Sequence, residues 1–316
     1  MKPTVIALVG PTGSGKTKTA IELCHRLDAE IVSMDSMQVY RGMDIGTAKP
    51  TKEEQARAPH HLIDIVDPDC MFTVSMYRET ACRVIDEIHN RGRIPILVGG
   101  TGLYLNAVSY EMSLGEKGAD ASLRDELNSI AQKAGGPEIL HSRLRSVDPD
   151  SAQKLHPNDI RRVIRALEIF ETSGKTKSEQ TDNGRKEGPY HVLVYGLSLP
   201  RESMYERINR RVDQMVEAGL IDEVKRLLAL GVEPKKEGGS MQAIGYKEIV
   251  SALRGEISMN TAIDLIKQGS RRYAKRQWTW FRHDARTKWF DWTEFQDESA
   301  LIDALEAQIR TDISRI

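Results

Sequence analysis

The sequence is short of cysteine, of net charge and of long apolar runs. Three cysteines, Cys24, Cys70 and Cys82, lie far apart with no C-x-x-C pair. That count excludes a disulfide framework and a cysteine-based zinc finger, and it reads as a reduced, cytosolic chain. Lys and Arg total 45 against 46 Asp and Glu, a formal net charge of −1. A chain so balanced does not grip a polyanion by bulk charge, so any contact to nucleic acid has to come from local patches. No stretch approaches the roughly 20 apolar residues of a membrane span. The run at 5–9 that follows Lys2 is shorter than the roughly 7–15 apolar residues of a secretory segment. These absences predict a cytoplasmic protein with no membrane partner.

What is present is a globular composition, 40% hydrophobic and 29% charged, too apolar for a disordered chain. A chain of 316 residues buries roughly 75% of its unfolded surface and needs no disulfide staples. It also exceeds one usual domain length, so one large domain or two smaller ones are expected. No internal repeat or low-complexity tract is present.

The first 114 residues alternate between two periodicities. A continuous apolar run at 4–9 reads as a strand buried on both faces. A glycine-rich turn follows, then a helical pattern at 17–27 with Ala20, Ile21, Cys24 and Leu27 on one face. A second strand is expected at 30–35, ending in Asp35. A helix at 80–90 carries Val84, Ile85 and Ile88, and a third strand at 94–98 runs into Gly99-Gly100-Thr101-Gly102. Strand, helix, strand, helix, strand predicts an α/β core with a parallel sheet flanked by helices.

From about residue 115 strand character stops. A helix at 159–172 places Ile160, Val163, Ile164, Leu167 and Phe170 on one side, with Asn158 as its expected N-cap and Gly174 as its stop. Residues 173–191 are almost without apolar side chains and read as a long mobile loop. Strand character returns at 191–197. We therefore expect an all-helical insertion domain over 115–196, between a first part of the core at 1–114 and a mostly helical C-terminal part at 197–316. There Met204, Ile208, Val212 and Met215 form one stripe, and Ile221, Val224, Leu227 and Leu228 another, with a last short strand at 288–291.

Gly10-Pro11-Thr12-Gly13-Ser14-Gly15-Lys16-Thr17 fits G-x-x-x-x-G-K-[ST], the P-loop, between a strand and a helix as its mechanism requires. The motif belongs to nucleotide-binding and ATP-binding proteins. Its glycines let successive backbone N–H groups face phosphate oxygens, the helix N-terminus adds partial positive charge and Lys16 a full one. Thr17 offers a hydroxyl to Mg²⁺. The motif names a polyphosphate and not a reaction. A hydrolysing NTPase usually carries an apolar strand ending in a metal-binding Asp. Here the strand at 94–98 ends in glycines, and Asp64 interrupts the alternative run at 62–67. A small transferase is the better reading. Asp35 and Thr101 both fall at the carboxyl ends of strands, where parallel sheets bind ligands. A carboxylate there takes a proton from a nucleophile or caps the next turn.

These segments occur together with Asp35-Ser36-Met37-Gln38-Val39-Tyr40, Asp44-Ile45-Gly46-Thr47-Ala48-Lys49-Pro50, Gly99-Gly100-Thr101-Gly102-Leu103-Tyr104, Asn158-Asp159 with Arg161-Arg162 and Arg165, Ile244-Gly245-Tyr246-Lys247-Glu248, and Lys275-Arg276-Gln277 with Thr279-Trp280-Phe281-Arg282. The chain closely resembles the tRNA dimethylallyltransferases, also called tRNA isopentenyltransferases, over nearly its whole length and in their bacterial form. The resemblance implies a P-loop NTPase-like core, and transfer of a dimethylallyl group from dimethylallyl diphosphate to the exocyclic amine of an adenosine 3′-adjacent to the tRNA anticodon. Diphosphate is released, so the P-loop holds a leaving group.

Carried onto this sequence, the resemblance implies catalysis by Asp35, Thr101 and Lys16. It implies diphosphate binding by Gly10, Thr12, Gly13, Ser14, Gly15, Lys16, Thr17 and Arg211, with Mg²⁺ at Thr17. The tRNA anticodon stem-loop would meet Asp35, Ser36, Met37, Gln38 and Thr101, then Arg124, Asp159, Arg161, Arg162 and Arg165, and finally Gln242, Lys247, Arg276 and Arg282. A monomer is implied.

The residues themselves leave alternatives open: a prenyltransferase acting on AMP or ADP, a small-molecule kinase, or a non-catalytic RNA-binding module. Residues 115–191 hold 13 Lys/Arg and 13 Asp/Glu, so RNA contact there needs local arginines. Residues 271–286 hold six Arg/Lys against one Asp, interleaved with Tyr273, Trp278, Trp280 and Phe281. Arginines pair with phosphates and aromatics stack on unpaired bases, though these aromatics read chiefly as core. His60 and His61 are adjacent and face opposite ways on a strand, which makes them structural and not a metal pair.

Overall fold

Strand β1 (Thr4–Val9) sends alternate side chains to opposite faces of a sheet. Val5, Ala7 and Val9 enter one core, and Ile6 and Leu8 the other. All five are fully buried, as expected of a strand covered by helices on both faces. The computed structural model describes residues 2–111, 121–182, 186–234 and 239–316. It contains five further strands: β2 (Ala29–Ser33), β3 (His60–His61), β4 (Ile94–Gly99), β5 (His191–Ser198) and β6 (Lys288–Asp291). The sheet has the order β3-β2-β4-β1-β5-β6, and every pairing is parallel.

One face is covered by the Val74–Asn90 helix through Tyr77, Ala81, Ile85 and Ile88, with Phe281. The other is covered by the Lys16–Leu27 helix through Ile21, Leu23 and Cys24, and by the Glu298–Ser314 helix through Leu301, Leu305 and Ile309. A third cluster packs Val39, Tyr40 and Met43 against the helical C-terminal part at Val212, Val224, Tyr246, Ile249 and Ile266. The helix that covers the first face begins at Val74 and not near residue 80, because the Thr73 side chain accepts from the Met76 N–H and caps it.

Two compact units divide the chain, 2–109 with 188–316, and 110–187. The second has its own core of Leu127, Leu140, Leu144, Val163, Ile164 and Leu167. The expected insertion boundaries of 115 and 196 are thus corrected. Residues His191–Ser198 pair with β1 and β6 and belong to the sheet. Within the insertion the Ile160–Ser173 helix has Asp159 at its N-cap, in place of Asn158, and stops at Gly174. Part of the expected loop at 173–191 is a short helix, Lys177–Asp182, and residues 183–185 lie outside the described residues. Among the described residues no helix is long and apolar enough to cross a membrane.

Chain order sets where the site falls. The chain runs from β1 outward through β2 and β3, returns to β4 in the gap, then crosses to β5 and β6 on the other side of β1. The carboxyl ends of β1, β4 and β2 therefore lie side by side at a switch point, where open α/β sheets bind ligands. The approach is close. A Cβ placed on Gly99 would lie 2.1 Å from the Met34 carbonyl oxygen. Gly99→Ala must therefore push β2 and β4 apart. It is expected to cost at least the roughly 1–3 kcal/mol of an overpacked core, read as a lowered urea midpoint; an unchanged midpoint would contradict this packing.

Candidate active site

The P-loop forms the turn between β1 and the Lys16–Leu27 helix. Gly13 and Gly15 take φ of 84° and 91°, values that glycine reaches at no steric cost. Trp292 closes the loop from outside. Its Nε1 donates to the Ser14 carbonyl oxygen at 2.8 Å, and its ring stands 2.9 Å from where a Gly15 Cβ would be. Thr12, Gly13, Gly15, Lys16 and Thr17 line a cavity of about 690 Å³. Ser14 is buried and its hydroxyl has no partner among the described residues. Gly10 lies behind the cavity wall, against the Leu197 backbone.

The chemistry-bearing groups of the cavity come from three further segments. Asp35 follows β2 by two residues and does not end it as expected, since pairing with β4 stops at Ser33. Its Oδ1 accepts from the backbone N–H of Met37 (2.8 Å) and Gln38 (3.3 Å). Its Oδ2 has no partner among the described residues. Arg211 reaches the cavity from the Arg201–Glu217 helix, and its Nη2 donates to the Ala48 carbonyl oxygen at 3.4 Å. Arg207, one turn earlier, also lines the cavity and lies 5.8 Å over the Trp292 ring. Thr101, one residue beyond the Gly99-Gly100 wall, does not itself line the cavity; its Oγ1 accepts from the Ser36 N–H at 3.2 Å, and its side chain hydrogen-bonds the Tyr273 hydroxyl at the cavity edge.

Electrostatics couple these groups. Lys16 donates to the Gly10 and Pro11 carbonyl oxygens at 2.9 and 2.8 Å. Burial, then the positive charge of Arg211, lowers its ammonium to about 7, while Asp35 pulls the other way. Burial raises Asp35 above the ordinary carboxylate range, against the pull of the Met37 and Gln38 amides and of Lys16 and Arg211. A carboxylate so placed is more basic than an exposed one.

The cavity also explains two sequence segments that had no assigned role. Glu223 is buried, and its carboxylate accepts from the backbone N–H of Asp44, Ile45 and Gly46 at 3.0, 2.9 and 3.1 Å and from the Tyr246 hydroxyl at 2.7 Å. Lys49, also buried, donates to Asp44, Asp64 and the Tyr40 carbonyl oxygen. Together they fix residues 44–49, whose Gly46, Thr47 and Ala48 form one cavity wall. Sequence carried a trace of Glu223, a carboxylate within the apolar face of the Leu220–Ala229 helix. Nothing in the sequence pointed to Trp292. Gln277 appeared only inside a motif.

The residues expected to meet RNA divide. Ser36, Met37, Gln38, Gln242, Lys247 and Arg276 line the cavity. Gln38 is occupied at both ends, accepting from the Ser33 hydroxyl (3.0 Å) and donating to the Ala48 carbonyl oxygen (3.3 Å). Arg282 is exposed at a helix end. Trp280 is 43% exposed and Phe281 fully buried, so the aromatics of this helix are not one core stripe. In the 110–187 unit, Arg124 and Arg165 both pair with the buried Glu168 carboxylate, and Arg162 pairs with Asp159 at 3.1 Å. Arg161 is exposed. Two of the expected arginines thus already serve the insertion's own packing. His61 pairs with Glu30 at 2.7 Å and His60 Nδ1 lies 2.7 Å from the Ala58 carbonyl oxygen.

Fold and site together define a P-loop α/β protein whose loop opens onto a cavity that also holds a carboxylate. Comparison with known proteins narrows the class. A family model described as IPP transferase matches residues 38–284. The tRNA dimethylallyltransferase of Halalkalibacterium halodurans is 50% identical over 304 residues, 96% of each chain. That of Bacillus subtilis is 47% identical over 292 residues, 92% of each. The full-length tRNA isopentenylpyrophosphate transferase structure from Bacillus halodurans superposes with a TM-score of 0.74 at 48% identity, covering 100% of this chain and 98% of that one. A eukaryotic dimethylallyltransferase acting on tRNA gives 0.76 at 32% identity, covering 92% and 74%. The chain belongs to the IPP transferase family, among the tRNA dimethylallyltransferases.

The opposed shifts of Lys16 and Asp35 set a pH dependence. Affinity for inorganic diphosphate is expected to fall as pH rises through about 7, where Lys16 gives up its charge. Lys16→Arg, which stays charged, should remove that alkaline limb even if it binds more weakly. Calorimetric titration between pH 6 and 9 checks both; a wild-type affinity flat across that range would contradict the assignment.

Proposed function

We propose that this chain transfers the dimethylallyl group of dimethylallyl diphosphate to the exocyclic amine of the adenosine 3′-adjacent to the anticodon in tRNA. The observation that carries the reading is the composition of one cavity. Its P-loop end offers Lys16, Arg211 and backbone amides, Asp35 stands beside them, and Met37, Val98, Met215, Ile244 and Ile266 supply apolar wall. An allylic diphosphate needs both ends, a cationic cradle for its head and apolar surface for its five carbons.

In the step itself the C–O bond to diphosphate breaks as the N–C bond to the amine forms. An aryl amine is a weak nucleophile until its proton has somewhere to go. Asp35 takes that proton on Oδ2, since Oδ1 is fixed by the Met37 and Gln38 amides. Charge gathers on the departing diphosphate, where Lys16, Arg211 and the loop amides offset it. Thr101 accepts from the Ser36 N–H and hydrogen-bonds the Tyr273 hydroxyl; to serve the ester oxygen its hydroxyl would turn from Tyr273 to the donor. Thr17 would hold Mg²⁺: it faces the cavity and no described residue occupies its hydroxyl. Bound there, the ion would add positive charge beside the diphosphate. The target base has to leave its stack to reach an enclosed donor, and Ser36, Met37, Gln38, Gln242, Lys247 and Arg276 are the cavity residues placed to receive it. Arg161 of the insertion and Arg282 are exposed and suited to phosphate contact.

Incubation with labelled dimethylallyl diphosphate and either tRNA or AMP tests the reading. Label is expected on tRNA. Asp35→Ala is expected to retain tRNA binding and lose roughly 10²–10⁴-fold in rate, the usual contribution of a general base. Label on AMP alone overturns it; full activity of the alanine variant removes Asp35 as the base.

A further inference from the structure

Gln277 lies on the Met259–Arg282 helix and is 5% exposed. Its Oε1 accepts from the Thr12 N–H at 2.9 Å, and its Nε2 donates to the Gly100 carbonyl oxygen at 3.1 Å. Thr12 belongs to the turn after β1 and Gly100 to the turn after β4, and these strands are neighbours. Among the described residues this amide is the only hydrogen-bonded link between the two turns. It is also packed hard against one of them, since a Cβ on Gly100 would fall 1.8 Å from Nε2. The preceding residue, Arg276, lines the same cavity.

From this geometry we propose that Gln277 is a positioning residue for the transfer reaction. It sets the separation between the P-loop cradle and the Gly100-Thr101 peptide, so that one diphosphate ester meets Lys16 at its head and Thr101 at its ester end. The inference rests on the function proposed above. Its chemical core is polarity. The site needs one acceptor and one donor at fixed spacing, and a side-chain amide supplies both. An ionised carboxylate supplies two acceptors, so one oxygen would face the Gly100 carbonyl and a negative charge would stand near the diphosphate. A protonated carboxyl restores the donor.

Gln277→Glu is therefore a pH-gated version of the native contact, and Gln277→Leu an ungated loss of it. The Tyr273 hydroxyl hydrogen-bonds the Gln277 side chain directly, and Lys16, Lys18, Asp35, Glu54, His60, Arg207, Arg211, Lys247 and Arg276 also face this cavity, so each variant is read as a ratio to wild type at the same pH. At pH 8 both variants are expected to raise the KM for dimethylallyl diphosphate by about 10- to 100-fold, the usual consequence of leaving buried polar groups unpaired. The KM for tRNA should change less than about twofold. As pH falls to 6 the Glu variant should recover toward wild type, because burial favours its neutral form, and the Leu variant should not. Equal ratios for Gln277→Glu at both pH values, or a wild-type KM for the donor in Gln277→Leu, overturn the proposal. If Gln277→Leu does not fold by circular dichroism, the Glu ratio alone decides. A wild-type chain that transfers no prenyl group to tRNA would instead refute the function; binding of inorganic diphosphate by wild type and variants would then still read Gln277.

Discussion

Lys16 is the group on which the rest of the site depends. Its ammonium is held by the neutral carbonyls of Gly10 and Pro11, which return only part of the hydration lost on burial. Arg211 adds repulsion and Asp35 the compensating attraction. A cation in that position is stabilised most by an anion arriving from solvent, and the surrounding dipoles point the same way. The N-terminal amides of the Lys16–Leu27 helix face the cradle with no acidic residue in the first turn to occupy them. The P-loop end of the cavity is thus built from unmet electrostatic demand, of the kind that an anion from solvent satisfies.

Holding that demand in place requires walls that do not relax. Much of the structure around the cavity is buried polar contact between parts distant in sequence. Glu223 collects three consecutive backbone N–H groups and a phenol, a pattern in which removal of the carboxylate would orphan several donors together. Tyr246 fills the space that a Gly46 side chain would need. Trp292 seals the outer side of the P-loop. Residues 44–49, 223, 246, 277 and 292 come from segments separated by up to 248 positions, yet each fixes a backbone wall of the same cavity or its loop.

How much of this could be read from the sequence follows from the range of the interactions. β1, β4 and β6 were legible because a strand's alternation is local, and the P-loop because its glycines and lysine are consecutive. The insertion was legible as helical through the apolar face at 160–170, but its end was placed at 196. The return strand His191–Ser198 resembles any strand until its pairing with β1 is known. Asp35 and Lys16 were legible as chemistry, since strand ends in a parallel sheet converge. The arginines were harder. Arg165 has Glu168 three residues on along its own helix, but Arg124 looks like a phosphate ligand in sequence, and only three-dimensional proximity reveals the same Glu168, 44 positions away, as its partner. Trp292 and Gln277 depend wholly on tertiary contact, and no local pattern marks either.

The placement of the carboxylate follows from the same packing. In many P-loop proteins an acid at the end of a neighbouring strand holds the metal. Here the end of β4 cannot carry a side chain. Met34 backbone occupies the space beside Gly99, and the Gln277 amide occupies the space beside Gly100. A cavity acid is instead supplied by Asp35, carried by the segment after β2, one strand further out in the order β2-β4-β1. Its Oδ1 is anchored by the Met37 and Gln38 amides, which holds the carboxylate at a fixed angle. A P-loop whose adjacent strand ends in two glycines, with the acid displaced to the next strand, separates its cradle from its carboxylate by the width of a strand, which is the spacing that the proposed reaction uses.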